Sequence, residues 1–569
     1  MAVHEEVASP NISKLSLPRQ HSTVRPIGVY VLAGLATRGQ KILAVDTLRG
    51  YLVEVDPLTD NTVILNPNQV TSWIGVSGLA VWEDAVWFTR GESVFWCAGE
   101  AALAQSSEAF APKLFAKLPY TANGIAVGGD RVYVSCEKSG YIHQYERSSG
   151  NLIDRLPQPG IGIENITLTA DGLWVCDRTE QTIYCLDPDT GDIRYSALTP
   201  FSSPTSITFY QPEAAAAPIC YVAYADEEPY IRDDPNAPNP YQLTFRDRTF
   251  IHPLHLHHHS ADHYTLSNGY LVELSYVEEL LPLDDVPPLD NVEWRIALPA
   301  DTARQKVRHV EPIGHPFTEV TQEGQRVAVY KFDHLHPKQA GLVGWKATLE
   351  MYSIKYTLTP EDVEDIPPLS EDFQAKYLVD DDELAMETGT IQAAAKEAVG
   401  SETNILRKAL KIRNYVYDRL AYGIQPKIDT PDIALERGVA SCGEYVGILL
   451  ALFRLNGIAC RTIGRYKCPQ SPELQNIPLS PDYNHVWLEF YIPSIGWLPM
   501  ESNVDDIIDQ GPYPTRFFMG LSWYHTELGK GIPFGKINAD NKPEKFSLSN
   551  LAVNHIRFTI LNELSPTAN

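Results

Sequence analysis

The chain has 569 residues, 72 acidic against 46 basic, a formal net charge of −26 and 44% hydrophobic residues. Its length exceeds what one hydrophobic core serves, so several domains are expected, and its apolar content excludes a largely disordered protein. An acidic excess of this size repels phosphate backbones and anionic lipid surfaces, so no nucleic acid and no membrane partner is expected. The opening "MAVHEEVASPNISKLSLPRQ" has no apolar core of a signal, and no run reaches the ~18 apolar residues of a membrane span. Eight scattered cysteines without paired spacing suit reduced thiols, which together with these absences points to a cytoplasmic protein.

Residues 1–25 read as a disordered N-terminus. From 26 to 279 the chain repeats a pattern of turn, strand, polar turn and second alternating strand, seen in "GQKILAVDTLRGYLVEVDPLTDN" and "GGDRVYVSCEKSGYIHQYERSSGN". The apolar anchors Leu35, Leu79, Ile125, Ile166 and Ile207 recur at intervals of 44, 46, 41 and 41 residues, the length of one four-stranded propeller blade. Five blades are visible. The fifth is interrupted by the polar insert "EEPYIRDDPNAPNPYQ" before the strand-like "YTLSNGYLVELSYV" resumes, and a sixth blade is expected to close the ring. The blades resemble lactonase-like and NHL-type propellers, a resemblance that bears on fold alone.

The proline-rich acidic stretch 280–291 reads as a linker. Period-two alternation in "EWRIALP", "QRVAVYKFD" and "GWKATLEMYSIKYTLTP" then predicts a small β-sandwich over 292–360, followed by a second linker, 361–384. From 385 to 569 the order is helices first and strands afterwards, an α+β pattern. Ile405, Ala409, Ile412, Val416 and Leu420 fall on one helical face, with Ser401 placed to cap it. The fold class expected is therefore multidomain: an all-β propeller of about six blades, a small β-sandwich and an α+β domain.

In "GVASCGEYVGILLALFRLNG" the apolar stripe Val446, Leu449, Leu450 and Phe453 places Cys442 in or just before the first turn of a helix that Gly457 ends. There the unpaired N–H groups and the helix dipole favour a thiolate. A thiolate becomes a catalyst only beside a base that also protonates the leaving group, and "DYNHVWLEFYIPSIGWLPMES" offers His485, with Glu501 at the end of the following strand to orient it. Cys442, His485 and Glu501 are the candidate catalytic set. No cofactor and no metal is expected.

Residues from about 385 to 530 resemble the transglutaminase-like domain, a papain-related fold of thiol acyl-transferases and peptidases. Cys442, Tyr445, Gly457, Arg461 and Gly464 fall at that family's spacing, and the histidine and carboxylate segments follow in its order. The sandwich ahead of them also resembles a domain that often precedes such cores. The resemblance implies a thioester at Cys442 and a peptide or protein substrate, with a protein partner on the propeller face as a further expectation. The sequence departs from the family at Glu501, where aspartate is usual and for which Asp505 or Asp506 are alternatives, at Ala440 in place of glycine, and at Val446 in place of a small residue. Tyr422 is a weak candidate for the second oxyanion donor and reads rather as core. Cys460 and Cys468 read as structural.

Two rival functions are carried forward. One is a transglutaminase-like scaffold without turnover; the other is a metal-dependent lactonase or esterase in the propeller. The histidines of "IHPLHLHHHSADH" include His255, His257 and His259, which share one side of an extended segment, but a surface insert of a blade is the expected account.

Overall fold

The structure is a computed structural model that describes residues 23–98, 112–212, 217–225, 227–233, 241–247, 249–281, 288–336, 339–481, 484–542 and 551–566. Nearly all of the expected disordered N-terminus and half of the first linker lie outside these residues.

Four antiparallel four-stranded sheets follow one another, beginning with Leu32–Arg38, Val76–Trp82, Gly124–Gly128 and Ile163–Thr169; a three-stranded sheet begins with Pro204–Tyr210. The first strand of each sheet lies beside the first strands of the sheets before and after it, and Pro204–Tyr210 lies beside Leu32–Arg38, so the series returns to its start. Two bonds span that return: Leu35 N–H donates to Ser206 Oγ at 2.8 Å, and Thr205 Oγ1 donates to the Leu32 carbonyl at 2.6 Å.

The regular anchors have a physical cause. Each sits one residue after a small or short side chain at the point where inner strands meet. A Cβ on Gly78 would lie 2.8 Å from Gly124 Cα, and one on Gly124 would lie 2.6 Å from Asn165 Cα. The five anchors are buried, in cores shared between neighbouring sheets.

The expected sixth blade is not formed. The strand Tyr264–Leu280 pairs along its length with Gly341–Tyr356 on one side and Ala552–Leu564 on the other. Its seventeen residues, buried without a break over 265–270 and alternating from there to Leu280, suit the middle of a broad sheet better than a short blade strand. The polar insert forms its own hairpin, Glu227–Asp233 with Tyr241–Asp247, inside the fifth sheet.

Two sheets then face each other across a core rich in aromatic residues, with Trp294, Tyr330 and Trp345 buried at its centre. The larger runs in the order Gln305–Gly314, Gly341–Tyr356, Tyr264–Leu280, Ala552–Leu564, Pro478–Leu479; the smaller runs Thr318–Gln322, Gln325–Leu335, Leu289–Ala297, Gly535–Asn538. The strands expected between 292 and 360 are present, but the sandwich also recruits Tyr264–Leu280 and the last strand of the chain.

The helical lobe comprises Gly389–Val399, Ile405–Tyr417, Pro431–Arg437 and Cys442–Leu455, packed on the sheet Cys460–Ile463, Trp487–Ile492, Gly496–Met500. The cap of the second helix is Asn404, whose Oδ1 accepts from Leu406 and Arg407 N–H, and not Ser401, which lies three residues too early. Among the described residues no helix is long and apolar enough to cross a membrane.

Candidate active site

Ser441 caps the helix Cys442–Leu455, and Glu444, buried at its third position, accepts from the Ser441 N–H at 2.8 Å and hydroxyl at 3.1 Å. Arg437 and the Asp429 N–H bond the other oxygen of Glu444, at 2.7 and 3.0 Å. The start of the helix is thereby fixed, and Cys442 is its first residue. All eight cysteines are free, and seven are buried; Cys442 alone is partly exposed.

Burial opposes a charge on the Cys442 sulfur, but the hydrogen bond and charge of His485, with the N–H groups of Val486 and Gly443, hold its pKa below the ordinary thiol value. Burial pushes Cys97 the opposite way, up to about 11, and Cys460 up to about 12.

His485 is positioned by its backbone N–H, which donates to the Arg465 carbonyl at 2.8 Å, two residues ahead of the strand Trp487–Ile492. Its Nε2 faces both oxygens of Glu501, at 2.8 and 3.0 Å. With Nε2 so engaged, Nδ1 is the ring nitrogen left to serve Cys442, whose Sγ lies 4.0 Å from the carbonyl of the preceding residue, Asn484. Burial favours a neutral ring, yet the charge of Glu501 and the bonds to Cys442 and Glu501 raise its pKa to about 9. Glu501 is fully buried and held well below the usual carboxylate range by His485, His525 and Lys467. The structure thus brings Cys442, His485 and Glu501 together, with Glu501 bonded to His485 Nε2 and the charge of His485 favouring the thiolate.

The alternative carboxylates are engaged elsewhere. Asp505 accepts from Arg516 Nε at 2.8 Å, and Asp506 from the Tyr445 hydroxyl at 2.6 Å. Tyr422 is half exposed on a short strand paired with Val439–Ala440, so it is not the core residue expected. Arg461 pairs with Glu489 and stacks on Trp497, while Cys460 and Cys468 are buried as expected.

Sequence reasoning missed His525 and Lys467. His525 Nε2 lies 2.7 Å from Glu501 Oε1, and Lys467 Nζ lies 3.9 Å from the same oxygen. Both come from the strand pair Tyr466–Lys467 and His525–Thr526, too short for alternation to flag.

Beside Cys442 opens a cavity of about 380 Å³ lined in part by Gly443, Val446, Leu450, Ile428 and Val486. It shares Leu450, Thr462, Val486 and Asp382 with a second of about 510 Å³ that extends to Arg461, Arg465 and Phe534. The two adjoin as a cleft that reaches Gly443, the residue after the thiol.

The histidine-rich segment is not a surface insert. His252 is buried between Thr23 Oγ1 and Glu563 Oε1, at 2.8 Å each, and His258 bonds Thr265 Oγ1 at 3.1 Å. His257 and His259 pack ring against ring at 4.4 Å. Among the described residues no three His, Cys, Asp or Glu side chains converge as a metal site would require.

Residues 392–502 match the model of the transglutaminase-like superfamily, so the C-terminal part of the chain carries a transglutaminase-like domain. Similar solved structures include a candidate cysteine protease from Cytophaga hutchinsonii (15% identity, 52% of this chain and 93% of that one, TM-score 0.38). A glutaminyl cyclase from Myxococcus xanthus is also among them (10% identity, 40% and 94%, TM-score 0.28). These overlaps are too distant to bear on activity. No curated protein matches the sequence.

Proposed function

We propose that the chain is a thiol enzyme acting on amide bonds of peptides or proteins, with Cys442 as nucleophile, His485 as acid and base, and Glu501 as the group that orients and charges the imidazole. The thiolate sulfur attacks the substrate carbonyl carbon, and the C=O electrons move onto oxygen. The Cys442 N–H at the helix start is placed to receive that oxyanion. Collapse of the tetrahedral adduct breaks the C–N bond as His485 Nδ1–H protonates the departing amine, leaving a thioester on Cys442. His485, now neutral, takes a proton from water or from a second amine as it attacks the thioester carbonyl. The products are a carboxylic acid or a new amide, and the thiolate returns.

The observation that carries this reading is the partly exposed thiol at a helix start, its pKa lowered by a histidine whose Nε2 rests on a buried glutamate. The cleft that reaches Gly443, next to the thiol, supports a chain-like substrate. The repeated sheets support a further part of the reading: a propeller of five blades over residues 26–263, with its faces as a platform for substrate or a protein partner. We place this activity in the cytoplasm.

The test is to incubate the protein with a glutamine-containing peptide mixture, quench in acid and weigh the intact chain. A mass increase on Cys442 that vanishes in Cys442→Ala supports the enzyme, and ammonia or peptide release identifies the bond broken. A Cys442 that reacts with alkylating agents yet never carries an acyl group, over a broad peptide mixture, would instead favour a scaffold.

A further inference from the structure

The carboxylate of this site carries one methylene more than an aspartate would, and so has one more rotatable bond to fix. Its two oxygens receive His485 Nε2, the Ser502 N–H at 3.0 Å and, from outside the matched domain, His525 Nε2 at 2.7 Å. His525 is fully buried, stacked on Tyr524 and edge-on to Trp487 and Phe517. Its Nδ1 lies 3.2 Å from the Ser522 carbonyl. The shorter contact is to the charged acceptor, so the ring proton belongs on Nε2. Burial, with Lys467 and Arg304 nearby, brings the pKa of His525 down to about 3, and a neutral ring donates to Glu501 without competing for its charge.

The segment that carries His525 is held from the sandwich. Arg304, buried, donates to the carbonyls of Ser522 and His525 at 2.8 and 2.9 Å and pairs with Glu527 at 3.3 Å; the Trp523 indole N–H donates to the Pro200 carbonyl at 2.9 Å.

Resting on the proposed thiol chemistry, we propose that His525 is a positioning residue of the site: it fixes Glu501 in the rotamer that supports His485, and so lets a glutamate serve where a shorter carboxylate would need no second anchor. His525 touches neither the sulfur nor the cleft residues named above, and acts through Glu501.

The experiment measures the rate of Cys442 alkylation by iodoacetamide from pH 5 to 10 in the full chain, with the adduct located by mass spectrometry and thermal unfolding followed in parallel. His525→Gln keeps an N–H at the reach of Nε2. His525→Asn keeps only the reach of Nδ1, and His525→Phe fills the volume with no donor. The charges facing His485 and Glu501 in every variant are Cys442 and Lys467, while Arg304 faces position 525. Gln is expected within about 2-fold of wild type, whereas Asn and Phe lose on the order of 10-fold at pH 7 and narrow the reactive pH range from both sides. In a Glu501→Asp background, where the carboxylate already falls short of one histidine, adding His525→Asn changes the rate less than about 2-fold. An unmoved profile in Asn and Phe, equal losses in Gln and Asn, or additive losses in the double variant would overturn the proposal. If wild-type Cys442 itself reacts no faster than the buried thiols, the thiol reading falls and this one with it; a fast wild type with unmoved variants removes this one alone.

Discussion

At the scale of single residues, the site is governed by how three ionisable groups share two protons. The folded pKa of His485, raised to about 9, lies above its ordinary value of about 6.5. Folding therefore gains stability from this group that is fully present below pH ~6.5 and is lost as pH rises through 9, about 3 kcal/mol in all. Glu501→Gln keeps the shape but removes the charge that raises the histidine. Its destabilisation, measured by denaturant unfolding, should be larger at pH 6 than at pH 10, and its turnover should fall by on the order of 10³ to 10⁴. A destabilisation independent of pH would mean that Glu501 does not charge the imidazole. Much at this scale was legible in the sequence. Cys442, His485 and Glu501 could be singled out because helix start, strand start and strand end are local features. His525 was not legible, since a residue 24 positions beyond Glu501 on a two-residue strand leaves no periodic trace, and only the folded chain shows which carboxylate it meets.

At the scale of elements, the nucleophile helix and the strand that follows His485 must hold a fixed separation. Gly464 sits between them with φ +83°, and a Cβ there would come within 2.3 Å of the Trp487 ring. Trp487 in turn packs near both His485 and His525, with ring centroids at 6.0 and 5.0 Å. Gly464→Ala should displace the indole, cost about 1–3 kcal/mol and slow Cys442 alkylation several-fold. Unchanged stability and alkylation would show that the contact is not needed. The cap at Ser441 belongs to the same scale: Ser441→Ala should cost about 1 kcal/mol in thermal unfolding. Strand periodicity predicted the sandwich strands between 292 and 360, but alternation says nothing of pairing partners. The strand Tyr264–Leu280 therefore passed for a blade, whereas its length and its two long neighbours place it in the sandwich. The helix face from Ile405 was plain, and its cap was misjudged because three cap-forming residues, Ser401, Thr403 and Asn404, fall within four positions and only Asn404 bonds the free N–H groups.

At the scale of the whole molecule, the parts are not beads on a string. The last strand, Ala552–Leu564, lies between Tyr264–Leu280 and Pro478–Leu479, so deleting residues 552–569 would strip a central strand and expose Phe558 and Ile560. That truncation should be insoluble or protease-sensitive, and a soluble, cooperatively unfolding product would contradict the topology. The repeated sheets also reach the thiol domain: Glu180, buried in the fourth sheet, accepts from the Thr515 N–H at 2.7 Å. Burial raises the Glu180 pKa to about 7, so the stability this group contributes is lost as pH rises through 7. Glu180→Gln, which does not ionise, should flatten the fall in unfolding midpoint between pH 5.5 and 8, and an equal fall in both proteins would count against a charge effect at this junction.

The central claim is that Cys442 rests as a thiolate beside a protonated His485. Brief alkylation with iodoacetamide at pH 7, followed by peptide mass mapping of all eight cysteines, tests it most directly. The account predicts that Cys442 is modified well ahead of the other seven and that His485→Ala abolishes the preference. Equal modification of the thiols, or a preference that survives His485→Ala, would contradict it.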